Sequence, residues 1–183
     1  DGCPYRLLFP VEKIDTCGCN TWEKQGLEPT PLFRLSNKHR EMGEQALKRL
    51  GLPKDAWYVT LHVREPGYRG ETHGNTTENW RNANPLDYIK ACEAITREGG
   101  WVFRMGDPHM SPFPDLPNVI DYAHEDNTPL GNLYAISKCR FLIGCTSGPA
   151  NVARLFGKKV VGTNLAQLAH DYCPNISIIK QIE

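Results

Sequence analysis

Two segments of the chain carry residues able to hold an anion. The first, Leu61-His62-Val63-Arg64-Glu65, ends an apolar run in a histidine and an arginine. A guanidinium can give two parallel hydrogen bonds to the oxygens of a phosphate, so an arginine at the end of a buried strand suits a diphosphate. The second, Arg140 to Gly157, reads RFLIGCTSGPANVARLFG. Phe141-Leu142-Ile143 has the pattern of a buried strand, the residues from Gly144 to Gly148 are small, and Pro149 stands where a first helical residue would. Asn151 to Phe156 then reads as a helix stopped by Gly157. A strand that turns through small residues into a helix leaves backbone N–H groups unpaired at the helix start. Together with the partial positive charge of the helix end they attract phosphate. Thr146, Ser147 and Gly148 are the contacts this reading selects, and an ordinary Ser/Gly cap explains the same residues equally well. Arg64 also has a plain alternative, pairing with Glu65 or Asp107.

The elements around these segments predict how they are positioned. Ser36 reads as the N-cap of a helix over Arg40 to Leu50, with Met42, Ala46, Leu47 and Leu50 on its inner side. Trp57 to Val63 is the first strand, and Arg64 to Asn84 a long polar loop carrying Arg69 and Arg81, which could close over a bound anion. Asn84-Pro85 caps a helix over Leu86 to Glu98. Strands follow at Trp101 to Met105 and Asn118 to Tyr122. Pro129 to Ser137 is a helix, with Leu130, Leu133, Tyr134 and Ile136 available for packing. Phe141 to Gly144, Lys159 to Gly162 and Ile176 to Ile179 are the last strands. Alternation of strand and helix implies a parallel sheet with helices on both faces, and ligands of such sheets sit beyond the carboxyl ends of the strands. That rule selects His62 and Arg64; Arg104, Gly106 and Asp107; Asp121 and Tyr122; Thr146, Ser147 and Gly148; and Gly162, Thr163 and Asn164. His62 faces away from Val63 and could orient Arg64, touch a sugar or be a buried structural histidine. Asp107 could accept from a ligand hydroxyl or cap its own turn.

The bulk properties narrow the class. A chain of 183 residues with a formal net charge of zero is expected to be one domain with room for an appendage, and not a general binder of nucleic acid or membrane surfaces. Its sequence contains no run long enough to span a membrane. The seven cysteines form no paired CxxC knuckles, so the expectation is free thiols in the cytoplasm and no metal site. Residues 1–35, broken by Pro4, Pro10, Pro29 and Pro31, read as an irregular N-terminal arm or the remnant of a truncated domain; residues 36–183 are the main domain.

In combination and in order, WYVTLHVRE (57–65), WVFRMGDPHM (101–110), VIDYA (119–123) and RFLIGCTSG with NVARLFG (140–157) resemble a family of bacterial glycosyltransferases of the GT-B type. The plan is distantly similar to the nucleotide-sugar fucosyltransferases, which also carry a strand ending in His-x-Arg and a later strand ending in a Ser-containing turn. The resemblance implies a Rossmann-like, doubly wound α/β domain of the GT-B C-terminal kind. It binds a nucleotide-diphosphate sugar for transfer to a glycan or surface-polysaccharide acceptor, with no cofactor beyond that donor and no metal. Arg64 would hold the diphosphate and Ser147 with Gly148 would meet a phosphate. Arg104, Gly106, Asp107, Asp121 and Tyr122 would surround base and ribose. Where the fucosyltransferases continue with a second Arg and an Asp, Glu65-Pro66-Gly67 follows here, which argues against GDP-fucose. GT-B enzymes have two such halves and this chain has room for one. The acceptor's general base would come from the polar loop, where Glu71, His73 and Glu78 are the candidates.

Two other readings stand beside this one. A nucleotide-binding or assembly module without turnover uses the same fold. A hydrolase would place Thr146 or Cys145 at a strand–nucleophile–helix elbow with His170 downstream.

Overall fold

A computed structural model of the chain describes residues 31–66, 81–125, 127–165 and 176–179. Six parallel strands form one sheet: β1 (Tyr58–His62), β2 (Trp101–Arg104), β3 (Val119–Asp121), β4 (Phe141–Gly144), β5 (Lys159–Leu165) and β6 (Ile176–Ile179). Their spatial order is β3-β2-β1-β4-β5-β6. The chain therefore winds outward from β1 in one direction, returns, and winds outward from β4 in the other. The direction reverses between β1 and β4, where Leu61 stands beside Ile143 and His62 beside Gly144. The expected Rossmann-like α/β fold is what the chain adopts.

Both faces of the sheet are covered because its inner strands are apolar on both sides. On one face Tyr58, Phe103, Leu142 and Val160 pack against helices α1 (Asn37–Arg49), α3 (Pro129–Lys138) and α4 (Gly148–Leu155). On the other, Val59, Leu61, Val63, Val102 and Ile143 pack against Tyr88 and Cys92, the latter on α2 (Ile89–Arg97). Residues 31–35 lie on the first face: the N–H groups of Leu32 and Phe33 both donate to the Leu155 carbonyl, and Phe33 meets the Phe156 ring edge-on. Residues 1–30 of the expected arm lie outside the described residues.

Several element boundaries differ from expectation. Ser36 caps α1, accepting from the His39 N–H, but α1 starts at Asn37 rather than Arg40 and its inner side is turned accordingly. Gly43 and Leu47 are buried, while Met42, expected inside, is 47% exposed. Gly43 faces Tyr134 of α3 so closely that a Cβ there would come within 2.2 Å of the ring, so a glycine lets the two helices approach. Leu133, expected to pack, is largely on the surface. The expected helix over Leu86 to Glu98 begins as a 3-10 turn, Pro85–Tyr88, under the Asn84 cap, and becomes α2 only at Ile89. β3 stops at Asp121, and Tyr122 opens a second 3-10 turn. β5 is longer than expected, with a register irregularity against β6 between Gly162 and Leu165. Asn164 lies there with φ of 53°, a conformation asparagine tolerates better than most residues.

Candidate functional site

The carboxyl ends of β1 and β4 lie side by side, so the residues following them share one rim. His62 is the last residue of β1 and is almost fully buried. Its Nδ1 lies 3.0 Å from Ser147 Oγ, and that hydroxyl also donates to the Cys145 carbonyl at 3.1 Å. The His62 carbonyl in turn accepts from the Cys145 N–H. Gly144 is required at this crossing, since a Cβ on it would stand 2.9 Å from the His62 carbonyl oxygen. Burial, with the charges of Arg104 and Arg64 nearby, lowers the His62 pKa from 6.5 to about 4, so the ring is neutral at ordinary pH.

His62 is thus a common neighbour of the two segments singled out by their chemistry. Ser147 is hydrogen-bonded to it, and Arg64 is near enough for its charge to act on it. Ser147 is the N-cap residue of α4 by position, but its side chain makes no capping bond to the helix. Its hydroxyl turns back to His62 and Cys145, so the first turn of α4 receives no side-chain cap from it. Beside it, a Cβ at Gly148 would meet no atom of the described residues within 4 Å.

The turn is held from behind. Nε and Nη2 of Arg81 both donate to the Thr146 carbonyl, at 3.1 and 2.7 Å. Asn164 Nδ2 donates to the carbonyls of Arg81 and Asn82, and the Ala83 N–H donates to the Arg64 carbonyl. Arg81, expected to close over a bound anion, therefore anchors the turn through the turn's backbone instead. Arg69, like Glu71, His73 and Glu78, lies outside the described residues.

On the β2–β3 side the arrangement differs from the one expected. Arg104 is wholly buried, donating from Nη2 to Glu65 Oε1 at 2.7 Å and from Nη1 to Asp121 Oδ1 at 2.6 Å. Glu65 Oε2 accepts from the Ser111 N–H, and Asp121 Oδ2 accepts from the Phe113 N–H and bonds His124 Nδ1. This network ties the ends of β1, β2 and β3 to the loop over residues 105–118. It also engages the carboxylate that the sequence offers Arg64 as a neighbour. Tyr122 is equally interior: its hydroxyl accepts from the Thr128 N–H, and its ring packs on Phe103. Both Nη groups of Arg104, the carboxylate of Asp121 and the hydroxyl of Tyr122, expected around base and ribose, thus have protein partners. Asp107 accepts from the N–H of His109 and bonds its Nδ1, which is the turn-capping alternative. Gly106 is packed against Met110, and its carbonyl accepts from Asn127. The clue in the sequence was an arginine inside the apolar run Trp101 to Met105, since a charge in a buried strand requires carboxylates beside it.

Cys145 is buried, with its Sγ 3.5 Å from the Tyr88 hydroxyl, which also bonds Thr163 at 2.7 Å. That placement takes the thiol away from any substrate and removes the basis for a Cys145 elbow. Among the described residues no three His, Cys, Asp or Glu side chains cluster as metal ligands, and no helix is long and apolar enough to cross a membrane.

No family model matches the chain, and no curated protein does. Among solved structures its fold is similar to the crystal structure of the glycosyl transferase family 9 from Veillonella parvula DSM 2008, with a TM-score of 0.58 and 14% sequence identity. The match covers 88% of this chain and 46% of that one, so the chain spans about half the length of its structural neighbour.

Proposed function

We propose that this chain is the donor-binding half of a GT-B glycosyltransferase. It moves a sugar from a nucleoside-diphosphate sugar to a glycan or surface-polysaccharide acceptor without a metal. One observation carries the reading: where the strand order reverses, Ser147 at the start of α4 is hydrogen-bonded to His62 at the end of β1, two residues before Arg64. In open parallel sheets that is where ligands bind. As the sugar C1–O bond breaks, its electron pair goes to the diphosphate oxygen. A fixed guanidinium and a helix N-terminus stabilise that charge without reorganising. The acceptor hydroxyl attacks C1 and loses its proton to a general base, for which Glu71, His73 and Glu78 are the candidates. Similarity in fold to a glycosyl transferase family 9 structure supports the reaction class.

A thermal-shift series with UDP, GDP, ADP and CDP and their sugars tests this. One base should stand out, and at a concentration near 100 times its Kd should add about 2.7 kcal/mol of stability. No response to any of them contradicts the proposal. The alternative is a nucleotide-binding module without turnover, which uses the same fold. Slow release of free sugar from the preferred donor would exclude it.

A further inference from the structure

We infer that Ser147 is a positioning residue that fixes His62 as its Nδ1–H tautomer, leaving Nε2 as a bare acceptor for a ligand hydroxyl at the rim. The argument is one of hydrogen-bond supply. The Ser147 hydroxyl has one proton and two close partners, the Cys145 carbonyl at 3.1 Å and His62 Nδ1 at 3.0 Å. A carbonyl only accepts, so the hydroxyl proton goes to Cys145. The Ser147 oxygen must then accept from His62, which places the imidazole proton on Nδ1. Both side chains are buried, at 5% and 8% exposure, so water does not compete for these bonds. A neutral ring protonated on Nδ1 has its lone pair on Nε2; among the described residues Ser147 is the side chain hydrogen-bonded to the ring, and it reaches Nδ1.

The consequence is chemical. Free neutral histidine favours the Nε2–H tautomer, which would present a donor at this place. With the tautomer inverted, His62 repels a further N–H or cation donor less than it would as imidazolium, and accepts from a sugar or ribose hydroxyl. Phosphate, an acceptor, is left to Arg64 and α4. Ser147 thereby affects recognition without touching the ligand. Calling that hydroxyl part of a nucleotide sugar rests on the proposed function; the tautomer does not.

The experiment is nitrogen NMR on protein labelled in its histidine rings, first without ligand at neutral pH, with His62 assigned by the signal lost in His62→Gln. The expected result is a single neutral form, proton on Nδ1 and none on Nε2. Ser147→Ala should shift most of the population to Nε2–H, and Ser147→Thr, which keeps a hydroxyl, should restore Nδ1–H. Ser147→Cys serves in place of Ser147→Ala if the latter does not fold. A proton on Nε2 in the parent, or an unchanged tautomer in Ser147→Ala, overturns the inference. Saturation with UDP or GDP, whichever calorimetry shows to bind, should then move the Nε2 signal. A bound nucleotide that leaves it unmoved overturns the contact. Failure of both to bind would count against the functional reading instead, the tautomer having been decided on the ligand-free protein.

Discussion

At the residue scale, roles divide by what each polar group already holds. Arg104 is compensated by two carboxylates. Arg64 follows β1 on the rim that β4 and the start of α4 share, and under the proposed function its replacement should matter most for anions. Arg64→Ala is expected to weaken binding of the preferred nucleotide sugar by about 1.5–3 kcal/mol, the range for a charge-assisted hydrogen bond. Ser147→Ala should cost less, because its hydroxyl is engaged by His62 and Cys145 rather than by the ligand. Calorimetry on both variants checks the order, and a larger loss in Ser147→Ala would reverse the assignment. His62 gives a pH prediction. Its folded pKa, about 4, lies below its ordinary 6.5, chiefly through burial and then through Arg104 and Arg64. The unfolded chain binds this proton more readily, so the contribution to stability is complete above pH 6.5 and is lost as the pH falls towards 4. That shift corresponds to roughly 3 kcal/mol. Urea unfolding between pH 7.5 and 4 should show the loss in the parent and a shallower one in His62→Gln; parallel curves would contradict it.

At the element scale, the Glu65–Arg104–Asp121 network fixes how β1, β2 and β3 end. Arg104→Met leaves the buried Glu65 and the partly buried Asp121 without their cation and should destabilise the fold by about 3–5 kcal/mol. A loss below about 1 kcal/mol in urea unfolding would show that the network is incidental. Gly43→Ala should cost about 1–3 kcal/mol, because the added methyl meets the Tyr134 ring on α3. A melting temperature equal to the parent's would show that α1 and α3 can separate freely. These elements also show what the sequence revealed. The apolar run Phe141–Gly144 gave a strand with its observed limits, because a buried parallel strand needs continuous apolar residues. The inner side of α1 was misjudged because hydrophobicity favours Met42 over Gly43, whereas a close helix crossing selects the residue without a side chain. The partners of Arg104 were not legible, since Glu65 and Asp121 reach it only through strand pairing across β1, β2 and β3.

At the scale of the whole molecule, the sheet topology turns two unremarkable motifs into neighbours. The strand–turn–helix segment and the His-x-Arg strand end were both visible in the sequence, and alternation of elements predicted a common rim. Their adjacency depended on β1 pairing on one side with β4, two strands further along the chain than its other neighbour β2, and no local pattern encodes that. The proposed function requires the start of α4, on the rim it shares with the end of β1, to be an anion site and not merely a helix cap. Gly148→Asp tests it most directly. The side chain has room, and a carboxylate at a helix N-terminus is favourable by about 0.3–1 kcal/mol, so the variant should melt at or slightly above the parent's temperature. Its charge would occupy the place of the phosphate. Calorimetric titration with the preferred nucleoside diphosphate should therefore show a folded protein with affinity reduced at least tenfold, about 1.4 kcal/mol; a folded Gly148→Asp that binds the diphosphate as the parent does would contradict the account.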